Sequence, residues 1–154
     1  MTSALAAVLE PEKPVFADGK RRLIEAALRL AARGTGLSAL GLRELAREAG
    51  LNHNTFYRHF DDVADLGRAT AAEIANQLLA GMKQVRDGAA RHADATLGTV
   101  DYFMDYVQAN PDVFVVGARE LHSAASPMRV VLRQTLEKIA GESVAEIASE
   151  HWAP

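Results

Sequence analysis

Apolar residues recur every three or four positions along most of this chain, the spacing that places them on one face of an α-helix. The first stripe lies in residues 18–33, where Asp18 is placed to cap a helix and a Gly-Thr-Gly run stops it. A longer stripe follows a second capping residue, Asp62, and continues to Gly88. Later stripes predict helices over residues 91–110, 111–123 and 127–150. No segment alternates convincingly as a strand would, so the sequence predicts an all-α fold.

Each stripe names the residues that its helix is expected to bury. In the first helix they are Leu23, Ile24, Ala27, Leu28 and Ala31. In the long helix after residue 62 they are Leu66, Thr70, Ile74, Leu78, Met82 and Val85. In the last part they are Leu97, Val100, Phe103 or Met104, and Val107, followed by Leu132, Leu136, Ile139 and Ile147. Asn110-Pro111 and Ser126-Pro127 each combine a capping residue with a proline suited to the first helical position, so each predicts a helix start.

Residues 42–60 predict two short helices joined by a tight turn. The first carries one apolar stripe, formed by Leu42, Leu45, Ala46 and Ala49. Gly50 can adopt the positive φ that ends a helix, and Asn52 can cap the next one, where Phe56 and Phe60 share a buried face. The outer faces then carry hydrogen-bond donors: His53, Asn54, Tyr57, Arg58 and His59. An apolar back and a donor-rich front are what a reader of the DNA major groove requires.

The run LRELAREAGLNHNTFYRHFDDVADLG, residues 42–67, resembles the DNA-binding domain of the TetR family of transcriptional regulators. Within that family, Phe56 to Asp62, followed by Leu66-Gly67, is most similar to the repressors of unsaturated fatty acid synthesis. The segments 110–114 and 118–120 extend the resemblance loosely, so that it covers about residues 20–140. It implies a three-helix helix-turn-helix domain followed by a helical body for ligand binding and dimerisation, here without the family's last helices.

The resemblance also implies which side chains meet DNA. Tyr57 and His59 match phosphate-contacting positions of the family, and Thr55 suits either a base or a phosphate. The base-facing positions are matched by His53, Asn54 and Arg58. The other interpretation of this set is a solvated helix face.

Basic residues near the start of the predicted domain add to this picture. Lys20, Arg21 and Arg22 lie where the chain of the family approaches the DNA backbone, so they would add salt-dependent affinity without sequence information. Arg43 can read a guanine through its bidentate guanidinium fork. Residues 20–60 carry eight basic and three acidic residues, a net charge of +5, whereas the rest of the chain carries −8. Such a basic module on an acidic body suits one part that meets phosphates and another that does not.

The second half offers two interpretations for its aromatic and apolar residues, a plain core or the lining of an apolar pocket. The resemblance implies a ligand chamber here, and its closer form implies a fatty acyl thioester as effector. The expected lining is Tyr102, Phe103, Tyr106, Phe114 and Leu121, beside Met104, Val115 and Val116. Arginines suit an anionic headgroup, and those available are Arg119, Arg129 and Arg133.

Other classes of protein are disfavoured. The chain has no cysteine, its five histidines do not pair at metal-ligand spacing, and no catalytic constellation or Gly-rich phosphate loop is present, so we expect no metal, no cofactor and no enzyme. No segment has the roughly 18 uninterrupted apolar residues of a membrane span, and cytoplasm is the expected compartment. The expected organisation is a flexible arm (1–17), a helix-turn-helix domain (18–62) and a helical regulatory domain (63–154).

The expected function is a sequence-specific DNA-binding regulator, a repressor tuned by a small apolar ligand and acting at a palindromic operator, with fatty acid metabolism as the suggested gene class. The alternative is a helical interaction or scaffold protein with a degraded reading head, and a gel shift with genomic fragments separates the two. Family members normally form homodimers through two further helices. This chain predicts either a dimer through a substitute interface on residues 127–150 or a weak monomer that is a truncated form.

Overall fold

The structure is a computed structural model that describes residues 18–34 and 36–151, with the backbone alone at residues 92, 143 and 146–151. The predicted arm (1–17) and the side chain of Ile147 therefore lie outside the described residues. The described chain forms seven α-helices and one 3-10 turn and has no strand, which confirms the all-α prediction. In chain order these elements are α1 (Asp18–Arg33), the 3-10 turn (Leu37–Ala39), α2 (Leu42–Ala49), α3 (His53–Phe56), α4 (Val63–Gly88), α5 (His92–Ala109), α6 (Pro111–His122) and α7 (Arg129–His151).

Helices α1 to α3 bury the apolar faces that the sequence predicts for them. The buried positions of α1 include all five predicted residues, and Leu45, Ala46 and Ala49 of α2 are buried against the same core. Phe56 and Phe60 are also buried, at 1% and 3% exposure, so the apolar back of the second short helix is confirmed. The three helices thus share one core, which fixes α3 relative to α1 and continues into α4 and the body.

Helix α4 leaves this domain and carries the chain into the body. Asp62 caps its start by accepting a hydrogen bond from the backbone N–H of Asp65 at 2.7 Å, and the Asp65 carboxylate accepts one from the backbone N–H of Asp61 at 3.0 Å. Five of the six predicted inward residues are buried, and Val85 is half-buried. One continuous α-helix therefore joins the first three helices to the rest of the molecule.

The buried stripe predicted for α5 is wrong in part: Phe103 packs against the core and, like Val107, is half-buried, but the other predicted positions face outward. Leu97, Val100 and Met104 are 67%, 53% and 48% exposed. The face that packs inward carries small residues and tyrosines instead: Ala95, Gly98, Tyr102 and Tyr106.

Close approach of two helices explains which face of α5 turns inward. A methyl group on Gly98 would lie 2.9 Å from Val85 Cγ1 of α4, and one on Gly81 of α4 would collide with the phenol of Tyr102. Helices that approach this closely leave room only for glycine or alanine at the contact, so the larger apolar residues of α5 face outward.

The two proline-marked helix starts behave differently. At Ser126 the side chain caps the turn as predicted, since its Oγ accepts a hydrogen bond from the backbone N–H of Met128 at 3.1 Å, and α7 begins at Arg129. Asn110 does not cap α6 with its side chain, because its Nδ2 instead donates to the carbonyl of Tyr106 at 2.9 Å and so closes the end of α5. That prediction of a side-chain cap is wrong, although α6 does begin at Pro111.

Helix α7 buries its predicted face only in part, since Leu132 and Ile139 are half-buried and Leu136 is 50% exposed. Large apolar side chains of the body therefore face outward on three helices, α5, α6 and α7: Leu97, Val100, Met104, Val115, Val130, Leu136 and Val144. Within the described range, no helix combines the length and the apolarity needed to cross a membrane.

Candidate nucleic-acid interface

A left-handed glycine holds the turn between α2 and α3. Gly50 has φ 65° and ψ 35°, and its backbone N–H donates to the carbonyl of Arg47 at 3.0 Å. The N–H of Leu51 donates to the carbonyl of Ala46 at 2.9 Å, which completes the closure of the helix end. Arg22 of α1 reaches across 28 residues of sequence and donates to the carbonyl of Gly50 at 3.1 Å. Arg22, which is predicted to contact a DNA phosphate, therefore uses part of its hydrogen-bonding capacity to fix the turn between α2 and α3.

Helix α3 is a single turn that continues into a hydrogen-bonded turn at residues 57–59. Asn52 caps it as predicted, its side-chain oxygen accepting from the N–H of Asn54 at 2.9 Å. The N–H of Phe60 donates to the carbonyl of Phe56 at 3.0 Å, so the helical path extends one turn beyond α3. Behind this path the Phe56 and Phe60 rings lie 5.7 Å apart.

The front of α3 presents the predicted donors to different degrees. Asn54, Tyr57 and Arg58 are exposed, and Arg43 is exposed at the start of α2. His53, Thr55 and His59 are half-buried. The His53 ring lies 5.7 Å from the Tyr57 ring, and its buried Nδ1 has no hydrogen-bond partner among the described residues.

The N-terminus of α1 lies beside the end of the reading segment. A methyl group on Gly19 would lie 2.9 Å from Nε2 of His59, so the glycine lets that ring sit against α1. Lys20 places its Nζ 5.8 Å from the centre of the Phe60 ring. The structure thus brings Lys20 next to Phe60 and Arg22 next to the turn before α3, whereas the acidic partners of Arg21 lie within α1.

Several basic residues of this domain already have acidic partners. Arg29 and Arg33 both contact Glu48 of α2, at 3.1 and 3.3 Å. Arg21 lies 3.4 Å from Asp18 and 3.6 Å from Glu25. The two pairs with Glu48 hold α1 against α2 only weakly, since a salt bridge this exposed contributes less than about 1 kcal/mol, and the pairs of Arg21 lie within α1. The pairs also reduce the positive charge that the composition suggests for a bound phosphate backbone.

Four of the five predicted ligand-lining residues form one aromatic cluster between α5 and α6. Tyr102 lies 6.4 Å from Tyr106, Phe103 lies 5.6 Å from Phe114, and Tyr106 lies 6.1 Å from Phe114, measured between ring centres. Leu121 is half-buried and is not part of these ring contacts. Such edge-on ring pairs fix the helices in place, which is the plain core interpretation.

Tyr106 has an environment that a plain core does not explain. It is fully buried, and its hydroxyl has no hydrogen-bond partner among the described residues. Burial, followed by the neighbouring Tyr102, raises the pKa of Tyr106 to about 12.

The predicted headgroup arginines do not point at the aromatic cluster. Arg119 donates to the carbonyls of Ala31 and Gly34 at 2.5 and 2.6 Å, at the end of α1. Arg133 is exposed and lies 4.0 Å from Glu137. The Nη1 group of Arg119 is thus bound to the end of α1, and its headgroup role stays a prediction.

Sequence reasoning missed two residues that shape the body. Gly81 in the middle of α4 admits the Tyr102 ring, and a mid-helix glycine was the available signal. Glu120 is buried at 2% exposure, and the sequence assigns it no role although it lies in the family-like segment 118–120. A separate open groove of about 480 Å³ lies at the far end of the body. Arg86 and Glu142, 2.8 Å apart, form part of its lining.

Comparison with known proteins agrees with this arrangement. Residues 23–70, which include most of α1, all of α2 and α3, and the start of α4, match the family described as "Bacterial regulatory proteins, tetR family". Among solved structures, the chain is similar to the fatty acid degradation regulator FadR from Bacillus halodurans, with a TM-score of 0.76 and 16% sequence identity. That match covers 88% of this chain and 69% of the other, and at this identity it shows a shared fold.

Proposed function

We propose that this chain is a DNA-binding regulator of the tetR family, a repressor released from its operator by a long-chain acyl ligand. One observation supports the DNA-reading part above the others. Exposed Asn54, Tyr57 and Arg58 stand on a helical turn whose opposite side is held by buried Phe56 and Phe60. A rigid back with polar groups in front is the arrangement that places side chains against base edges.

The ligand part of the proposal has two supports. The body contains a cluster of four aromatic rings, in which the buried hydroxyl of Tyr106 has no hydrogen-bond partner among the described residues. A buried polar group normally has a hydrogen-bond partner, so an exception inside an apolar site is a candidate contact for the polar end of a ligand. The other support is the similarity in fold to a fatty acid degradation regulator. Acyl thioesters combine a long apolar chain with a carbonyl acceptor, which suits both features.

We expect the exposed arginines and Tyr57 to fail in different ways when they are changed. Arg43→Ala and Arg58→Ala should each weaken binding to a site selected from genomic fragments by about 1–3 kcal/mol and relax the preference at one base pair. Tyr57→Phe should weaken binding to all sequences alike, because a phosphate contact carries no sequence information. Fluorescence anisotropy on selected and scrambled duplexes at several salt concentrations measures both effects.

Arg47→Ala is the matched control, since this exposed arginine lies on the same helix as Arg43 and is not among the proposed contacts. Its effect on the selected site should be small. Equal losses on selected and scrambled DNA for Arg43→Ala and Arg58→Ala would contradict base reading by these residues. Absence of any selected fragment would contradict the DNA-binding proposal itself.

Oleoyl-coenzyme A should stabilise the protein and lower its affinity for the selected DNA, whereas acetyl-coenzyme A should do neither. The two compounds share a headgroup, so the difference isolates the acyl chain. At about a hundred times the dissociation constant, a ligand that binds only the folded state adds about 2.7 kcal/mol of stability. Thermal unfolding and calorimetry measure this, and no heat of binding well above micromolar oleoyl-coenzyme A would contradict the ligand proposal.

A further inference from the structure

Two neighbouring side chains of α6 are bound to the backbone of the DNA-reading domain. Arg119 donates to the carbonyls of Ala31 and Gly34, where α1 ends. Glu120 accepts a hydrogen bond through Oε1 from the backbone N–H of Leu37 at 2.8 Å, where the 3-10 turn begins. These bonds span 83 to 88 residues of sequence and join the body to the reading domain.

These hydrogen bonds satisfy backbone groups at both ends of the short connection between α1 and the 3-10 turn. The last carbonyls of a helix and the first N–H groups of a turn have no partner within their own element. Arg119 supplies donors for the first set, and Glu120 supplies an acceptor for the second. Hydrogen bonds that involve a charged group are about twice as strong as neutral ones. The body therefore completes two termini that the reading domain leaves open.

The environment of Glu120 is unfavourable for a carboxylate. It is 2% exposed, and its Oε2 has no hydrogen-bond partner among the described residues. Burying a charged group with only part of its hydrogen bonds made is unfavourable, and an apolar residue of similar size would pack there at less cost. Gly36 has φ 120°, and a methyl group on it would lie 2.9 Å from Glu120 Oε1. The backbone is thus shaped around this oxygen.

The side chain of Leu37 faces the body from the other direction. Leu37 is buried, and a methyl group on Gly67 of α4 would collide with it and lie 3.0 Å from Cγ of Pro127. Met128, at the start of α7, lies at the same junction. The 3-10 turn is therefore held between α6 on its backbone side and α4 with the start of α7 on its side-chain side.

We propose that Arg119 and Glu120 are positioning residues that fix the orientation of the DNA-reading domain on the body through the 3-10 turn at Leu37. Neither residue touches DNA or the aromatic cluster in this role. The inference goes beyond the proposed function, and its orientation readout does not depend on DNA or ligand binding.

A pair of labels measures the orientation directly. The chain has no cysteine, so Arg47→Cys on α2 and Lys138→Cys on α7, both exposed positions, place one spin label on each part. In this background we expect one narrow distance distribution. Glu120→Ala and Arg119→Ala should broaden it or add a second distance, and hydrogen exchange of the Leu37 amide should speed up about tenfold or more. Glu120→Gln should keep most of the parental behaviour, because its amide oxygen can still accept from Leu37.

Two further variants complete the design. Asp112→Asn, an exposed acid on the same helix, is the control and should leave the distances and exchange unchanged. Gly36→Ala displaces the Glu120 oxygen from the other side and should reproduce the effect of Glu120→Ala. If Glu120→Ala loses its helical circular dichroism, the proposal is tested by the distances and exchange rates of Gly36→Ala and Glu120→Gln instead.

Parental distances and exchange in a folded Glu120→Ala or Gly36→Ala would overturn the proposal, as would a Glu120→Gln variant as broad as Glu120→Ala. Affinity for the selected DNA should fall about fivefold or more in Arg119→Ala, with an unchanged salt slope. A chain that binds no DNA would contradict the proposed function and leave the distance result standing.

Discussion

Phe56→Ala should destabilise the DNA-reading domain by about 3–5 kcal/mol, the range for removing a fully buried phenylalanine ring. Phe56 is 1% exposed and packs against Phe60 and Tyr57, with ring centres 5.7 and 5.6 Å apart. Its loss removes the apolar support of α3, which has only four residues and cannot hold its shape alone. Denaturant unfolding followed by circular dichroism measures the stability change, and DNA binding should disappear with it.

Tyr57→Ala distinguishes the structural support of α3 from direct contact with DNA. Tyr57 is 55% exposed and adjoins Phe56 in sequence, so its removal should change the unfolding free energy by less than about 1 kcal/mol. It should nevertheless weaken DNA binding. A Phe56→Ala variant as stable as the parent would show that the back of α3 does not depend on this ring.

Tyr106→Phe should make the protein more stable and a poorer ligand binder. The buried hydroxyl of Tyr106 has no partner among the described residues, and such a group costs about 1–3 kcal/mol. Phenylalanine keeps the ring contacts with Phe114 and Tyr102 and removes that cost. If the hydroxyl meets the carbonyl of an acyl thioester, the same change should lower the affinity for oleoyl-coenzyme A. Thermal unfolding and titration calorimetry on one sample test both halves.

The same residue should make stability fall at alkaline pH. Burial raises the pKa of Tyr106 to about 12 in the folded chain, above its ordinary value of 10.0, so the folded state holds the phenolic proton more tightly than the unfolded state does. This titration therefore leaves the free energy of unfolding unchanged below about pH 10. As the pH rises from about 10 to about 12, the free energy of unfolding falls by about 1.4 kcal/mol per pH unit.

Denaturant unfolding of the parent and Tyr106→Phe at pH 9, 10 and 11 should show this difference growing with pH. Tyr57→Phe, which removes an exposed hydroxyl, should follow the parent. Parallel curves for parent and Tyr106→Phe would contradict the buried environment assigned to Tyr106.

Most of the DNA-reading domain could be predicted from local sequence patterns. The spacing of apolar residues, the glycine of positive φ and the caps at Asn52 and Asp62 depend on residues a few positions apart, and all of them lie where the sequence predicts them. The contacts assigned to DNA stay predictions, since exposure alone does not show what a side chain binds. The bounds of α4 could also be predicted from a local pattern, because its apolar stripe repeats over the 26 residues of the helix.

The body depended on contacts that no local pattern encodes. An apolar stripe shows that one face of a helix is suited to burial, but Leu97, Val100 and Met104 show that a different face can meet the neighbouring helix when glycines allow a closer approach. Arg119 and Glu120 meet residues more than eighty positions earlier, and their partners are backbone groups that look alike in every sequence. The sequence by itself therefore determined the helices and the polar front of α3, whereas tertiary packing decided the faces of the body and how it holds the reading domain.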